Sequence, residues 1–150
     1  MLTVQYSSEQ NQYDIHEAAF SGDIRTLKRI VDSSNEIQQF LCLNKKDEAG
    51  HTALHKAAMN GWLNCVEYLV ELGAQVNIAD EAGCAPLHLA ASNGYVDISR
   101  YLVERGNANV GQKTNKGHTP RYMAKRRGQT YVLALFNDLE NRFGSRWASQ

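Results

Sequence analysis

The chain has 150 residues, 43% of them apolar, with 16 acids and 16 bases. That supports one ordinary domain with a real core and excludes global disorder. Zero formal net charge argues against a chain-wide nucleic-acid binder, and no apolar run approaches the roughly 20 residues needed to cross a bilayer.

Residues 1–12 read as a polar tail, without the basic flank and apolar block of a secretory leader. Residues 13–46 open with Ile15-His16-Glu17-Ala18-Ala19, a short helix stopped by Gly22. A second helix follows over 24–31, with Ile24, Leu27, Ile30 and Val31 as its apolar stripe. About six extra residues then precede Leu43-Asn44, which predicts a lengthened helix or loop. Residues 47–79 begin with a turn at Gly50, and Thr52 is placed to cap a helix carrying Leu54, Ala57 and Ala58. Gly61 stops that helix, and a second runs from about Leu63 to Leu72 with Val66, Leu69 and Val70 on one side. Residues 80–113 repeat the arrangement at a spacing of 33: Asp47-Glu48-Ala49-Gly50 is echoed by Asp80-Glu81-Ala82-Gly83, and Leu54-His55-Lys56-Ala57-Ala58 by Leu87-His88-Leu89-Ala90-Ala91. Residues 114–140 echo it again through Gly117-His118-Thr119-Pro120, now at an offset of 34, which places one inserted residue at Asn107. Residues 141–150 read as a tail.

None of these helices is long enough to be stable alone, so each unit depends on stacking against its neighbours. A fixed period of this length marks a repeat architecture. The residues Gly50-His51-Thr52-Ala53-Leu54-His55, Gly83-Cys84-Ala85-Pro86-Leu87-His88 and Gly73-Ala74-Gln75-Val76-Asn77 resemble the ankyrin repeat. The resemblance covers roughly residues 13–139. It implies an all-α solenoid of about four helix-turn-helix units with projecting turns. The outer two units look degraded, as end units that meet water do. Arg121 and Lys125 stand where the inner units have leucine and alanine, which is tolerable only if no fifth unit packs on top and points to a monomer.

Several constellations invite a chemical reading. His51 and His55 have metal-ligand spacing, with Cys42, Cys65 and Cys84 elsewhere, but zinc needs four convergent ligands and a second pair is missing. The resemblance implies instead that His55 and His88 hydrogen-bond across turns. No nucleophile motif, phosphate-binding glycine loop or paired acid and base appears; the chain is read as a non-enzyme without cofactor or metal. Cys65 is expected in the core and Cys84 exposed. Three cysteines without a framework suggest reduced thiols in the cytoplasm or nucleus. The resemblance also makes Asn77 a candidate for asparaginyl hydroxylation; the alternative is that it satisfies backbone groups in its own turn.

Function is expected on the surface. In an ankyrin-like stack the turn tips and first helices form a concave face that binds a protein partner, which makes the chain an adaptor, inhibitor or regulatory subunit. On this sequence the tips offer Glu48, His51, Glu81, Cys84, Lys116 and His118. The first helices offer Phe20, Met59, Asn60, Ser92, Asn93, Arg126 and Arg127, with Trp62 just beyond. Trp62 has two readings, a partner anchor or packing between its unit's two helices. Residues 47–83 hold one base and six acids, whereas 114–150 hold seven bases and two acids. A partner with a basic and an acidic segment would match. Two alternatives stand beside this: an ankyrin domain cut from a larger enzyme or channel, and phosphate or nucleic-acid contact through the basic end. The second is disfavoured because aromatic interleaving is scarce there.

Overall fold

The computed structural model describes residues 14–144; the tail over 1–12 and the last residues of the tail over 141–150 lie outside them. Four helix pairs follow one another: α1 (Ile15–Ser21) with α2 (Ile24–Asp32), α4 (Ala53–Asn60) with α5 (Leu63–Glu71), α6 (Pro86–Ser92) with α7 (Val96–Glu104), and α8 (Pro120–Arg126) with α9 (Thr130–Phe143). The first helices α1, α4, α6 and α8 stack in one layer and the second helices α2, α5, α7 and α9 in another. No strand occurs among the described residues. Ala57, Ala58, Ala90 and Ala91 are fully buried where first helices meet, and Leu69, Leu102 and Leu139 fill the second layer. The alanines let the short first helices approach closely, while Leu54 and Leu87 beside them and the leucines of the second layer bury apolar area.

The expected lengthening after α2 is a separate helix, α3 (Glu36–Leu43), standing outside both layers. It starts in a capping box: Asn35 Oδ1 accepts the Gln38 N–H at 2.9 Å. Leu43 is buried, but Ile37, Phe40 and Leu41 face solvent. The insertion before the last unit is also reassigned. Asn107 has a left-handed φ of 54°, as Gly73 has one of 95° in the preceding unit, and Gly106 does not. Asn107 is therefore the counterpart of Gly73, and Gly106 is the extra residue. Finally, α9 runs past residue 140 to Phe143.

The units are joined by histidines. In α4, the Thr52 N–H donates to His55 Nδ1 at 3.1 Å, so the proton sits on Nε2, which donates to the Cys84 carbonyl of the next unit at 2.9 Å. His88 repeats this, accepting from Ala85 N–H at 3.0 Å and donating to the Gln112 and His118 carbonyls at 2.9 and 3.1 Å. His16 Nε2 reaches the Lys45 and His51 carbonyls at 2.8 and 3.0 Å. In the fourth unit Tyr122 stands in this place and is exposed; no further described unit follows for it to bridge.

The turns approach one another closely. Gly83 has φ +83°, and a Cβ there would lie 2.5 Å from the Asn115 backbone nitrogen, whereas Gly117 has φ +80° and nothing within 4 Å. Gly117→Ala should therefore cost about 1–2 kcal/mol, the left-handed penalty alone. Gly83→Ala should cost clearly more, because the third and fourth turns must also separate; urea titrations of both variants measure the difference.

A pH dependence follows from the bridges. Burial holds the His55 pKa at about 4, below the usual 6.5, outweighing the Cys84 carbonyl and Asp80, which favour the charged ring. Burial likewise lowers His88. As pH falls, the unfolded chain takes up the proton first, so the contribution of His55 is complete above 6.5 and lost progressively towards 4. The gap corresponds to about 3 kcal/mol at most. Asp47 acts in a lower window. Burial pushes it up, but the His51 N–H and the Lys56 ammonium outweigh this and hold it at about 2. Its share is lost only as pH falls from 3.8 through 2. Urea midpoints should thus fall between pH 6.5 and 4, and the fall should be shallower in a His55→Asn variant, which is less stable throughout.

Candidate functional site

Each turn tip is shaped by one side chain at its start. Asp47 Oδ1 accepts the N–H groups of Ala49 and His51 at 2.9 and 2.8 Å. Asp80 Oδ1 does the same for Ala82 and Cys84, and Thr114 Oγ1 for Lys116 and His118. Successive tips are then tied by backbone bonds, Glu81 N–H to the Ala49 carbonyl and Asn115 N–H to the Ala82 carbonyl, each 3.0 Å. The Asx-type turn fixes the backbone and leaves the residue after it pointing outward. Glu48 and Glu81 are accordingly exposed, and neither carboxylate is in an ion pair among the described residues.

A second ladder runs along the C-terminal ends of the first helices. Asn60 Nδ2 donates to the Phe20 carbonyl at 2.8 Å, Asn93 Nδ2 to the Met59 carbonyl at 3.0 Å, and Gln129 Nε2 to the Ser92 carbonyl at 2.9 Å. Trp62 joins it, with Nε1 donating to the Phe20 carbonyl at 2.9 Å. The indole lies against Gly22, where a Cβ would come within 2.4 Å of the ring. Trp62 thus packs across units, not between the two helices of its own unit, and is still 40% exposed. Tyr95 and Gln129 hold the matching places over Gly61 and Gly94. Beside Trp62, Phe20 is 46% exposed, and Lys56 sits 5.7 Å from its ring centroid while pairing with Asp47 at 3.1 Å.

The sequence-predicted surface residues divide into three groups. Phe20, Glu48, Trp62, Glu81, Asn93, Lys116, Arg126 and Arg127 are exposed. Met59, Asn60, His51 and His118 are half-buried. His51 serves the stack, its Nε2 lying 3.1 Å from Asp80 Oδ2 in the next turn, and His118 stacks on Tyr122 at a centroid distance of 4.3 Å. Cys84 and Ser92 are buried and drop from the candidate surface. Cys84 is enclosed because its N–H and carbonyl are both engaged, by Asp80 and by His55; burial pushes its thiol pKa up. Ser92 lies under the Gln129 amide. Cys65 is in the core. Asn77 is exposed, and its Oδ1 accepts the Asn109 N–H at 2.8 Å, so it serves the next unit and not its own turn.

His51 and His55 rings are 5.5 Å apart, but both His55 nitrogens are occupied by hydrogen bonds. Among the described residues no group of three or more His, Cys, Asp or Glu is placed to hold a metal, and no helix is long and apolar enough to cross a membrane. Sequence reasoning missed the organising role of Asp47, Asp80 and Thr114. Their recurrence three residues before Gly50, Gly83 and Gly117 was the signal.

The family model for ankyrin repeats (3 copies) matches residues 15–114, so the fourth unit lies beyond the matched span. Similar proteins include the human BCL-6 corepressor, 54% identical over 35 residues, which are 23% of this chain and 2% of that protein. Human protein phosphatase 1 regulatory subunit 27 is 52% identical over 60 residues, 40% of this chain and 35% of the relative. Human ankyrin repeat domain-containing protein 39 is 32% identical over 77 residues, 50% and 39% of the two chains. The chain thus spans well under two thirds of each of these relatives.

The Trp62 geometry gives a direct test. Trp62→Ala should lower stability by about 2 kcal/mol, less than for a fully buried aromatic because part of the ring is in water. The cost should show as a lower denaturation midpoint with helical content at neutral pH unchanged.

Proposed function

The chain belongs to the ankyrin repeat family, and we propose that it is a non-enzymatic adaptor, inhibitor or regulatory subunit that holds a protein partner on the face of turn tips and first-helix ends. One observation carries this reading. The polar groups that build the stack are consumed by it, as in the histidine and Asn60/Asn93/Gln129 ladders. Phe20 at a first-helix end and Glu48 and Glu81 on the turn tips remain exposed. An exposed aromatic and unpaired acidic side chains are what a binding hot spot with a polar rim requires. The buried imidazoles, being held in hydrogen bonds, are not available as bases. That a relative is named a regulatory subunit of protein phosphatase 1 supports the regulatory variant of the reading. The three free cysteines support a reducing compartment, cytoplasm or nucleus.

A second reading, ankyrin units within a longer enzyme or channel, draws support from the BCL-6 corepressor, of which the match covers only 2%. The length of the full transcript decides it.

The main reading is tested by affinity capture with cross-linking, comparing the wild-type chain with a folded Phe20→Ser/Glu48→Lys/Glu81→Lys variant. The expected result is a protein that cross-links to the tips and first-helix ends and is lost from the variant. Cross-links that map to the second-helix layer, or capture that the variant leaves intact, would sink the face assignment.

A further inference from the structure

The basic residues of the fourth unit are of two kinds. Arg121 donates to Asn137 at 2.7 Å and to Glu140 at 2.9 Å, and Arg142 pairs with Glu104 at 2.9 Å. These hold α9 against its neighbours, which is structural work at the end of the stack. Lys116, Lys125, Arg126 and Arg127 are all exposed and have no ion-pair partner among the described residues. Lys125 is accounted for as the polar end face, since it stands where Ala58 and Ala91 are buried beneath a following unit.

Arg126 and Arg127 are not accounted for in that way. They stand in the columns of Met59/Ser92 and Asn60/Asn93 at the first-helix ends, and unlike the buried Ser92 both are exposed. Asn60 and Asn93 each donate to a carbonyl of the preceding unit. The corresponding carbonyl here, that of Ser92, accepts from Gln129 at 2.9 Å, and Arg127 does not add the second bond that Asn60 makes beside Trp62 at the Phe20 carbonyl. Arg127 thus stands outside the ladder, next to the like charge of Arg126. Along the tips the same change occurs. Glu48 and Glu81 are followed by the uncharged Asn115, and Ala49 and Ala82 by Lys116. The sign of the face reverses between the third and fourth units.

We propose that the cations of the fourth unit, Lys116 on its tip and Arg126 and Arg127 at its first-helix end, receive an acidic segment of the same polypeptide whose basic segment meets Glu48 and Glu81. This rests on the protein-binding reading above and adds the partner's charge order to it. Guanidinium forks suit carboxylates, which they can grip with two parallel hydrogen bonds. The choice of a polypeptide over a nucleic acid follows from the reversal. A uniformly anionic strand running along the face would meet Glu81 one unit on and Glu48 two units on, whereas a polypeptide can change sign within that distance. Successive tips are one unit apart, about 10 Å, which is about three residues of extended chain. The complementary segment therefore carries two basic residues spaced by about three positions for Glu81 and Glu48, and an acidic pair for the fourth unit.

The test uses the whole chain and fluorescein-labelled peptides in anisotropy titrations at about 50 and about 200 mM salt. One peptide has the acidic pair followed by the two spaced bases; a second has the same composition with charges alternating; a single-stranded RNA of matched length is the third probe. The block peptide should bind about tenfold tighter than the alternating one, weaken with salt, and lose about tenfold in affinity with R126E/R127E. Circular dichroism establishes that this surface variant is folded. Equal binding of the two peptides, indifference to R126E/R127E, or tighter binding of the RNA would overturn the proposal. A captured protein that cross-links to the face but ignores R126E/R127E defeats this inference alone. Cross-links outside the face defeat the reading beneath it.

Discussion

Each inner unit ties itself to the next through an uncharged imidazole. His55 accepts the N–H of its own cap and gives its one proton to a carbonyl of the following turn; His88 does the same. The ring must be neutral, because Nδ1 needs its lone pair for the cap. Burial supplies that condition by disfavouring the charged form. The joint and the core are thus mutually dependent: the core keeps the ring neutral, and the neutral ring fixes the turn that closes the core. Without it, the Cys84 carbonyl would keep only the Asp80 N–H and the Gln112 carbonyl would lose the His88 donor, and a buried group left unsatisfied costs about 1–3 kcal/mol.

The proposed binding face is what remains once these obligations are met. Backbone pairing between tips sets the spacing of Glu48 and Glu81, and the asparagine ladder sets the spacing of the first-helix ends. The face is therefore carried on a rigid repeat, and its chemistry is free to differ from one unit to the next. Here it differs in two respects: an aromatic cluster of Phe20 and Trp62 at the first two units, and unpaired cations at the last.

Much of this was legible in the sequence. The period placed α4 to α7 and their stops, and the loss of Leu and Ala at Arg121 and Lys125 set the fourth unit apart from the inner ones. What the period could not give was anything that occurs once. Helix α3 has no echo elsewhere in the chain, although its Asn35/Gln38 box is a local start signal. Trp62 fills a column held by tyrosine and glutamine in later units, so its role emerges only from the approach of one unit to another. Cys84 and Ser92 were misplaced for the same reason: the neighbours that cover them belong to contacts between units. The inserted residue was found, but conformation and not spelling decided between Gly106 and Asn107.

That insertion shows how the architecture accommodates surplus length. The extra residue is taken up between α7 and the following turn, where the Ala108 N–H still reaches the Leu102 carbonyl at 2.9 Å. Beyond it, Val110 is buried just as Val76 is, and the Thr114 turn resumes the pattern. Register is lost for one residue and recovered at once, without disturbing either layer. The connection at residues 105–107 is therefore a natural splice point. A reporter loop or an additional peptide epitope could be grafted there with the units on both sides left in phase.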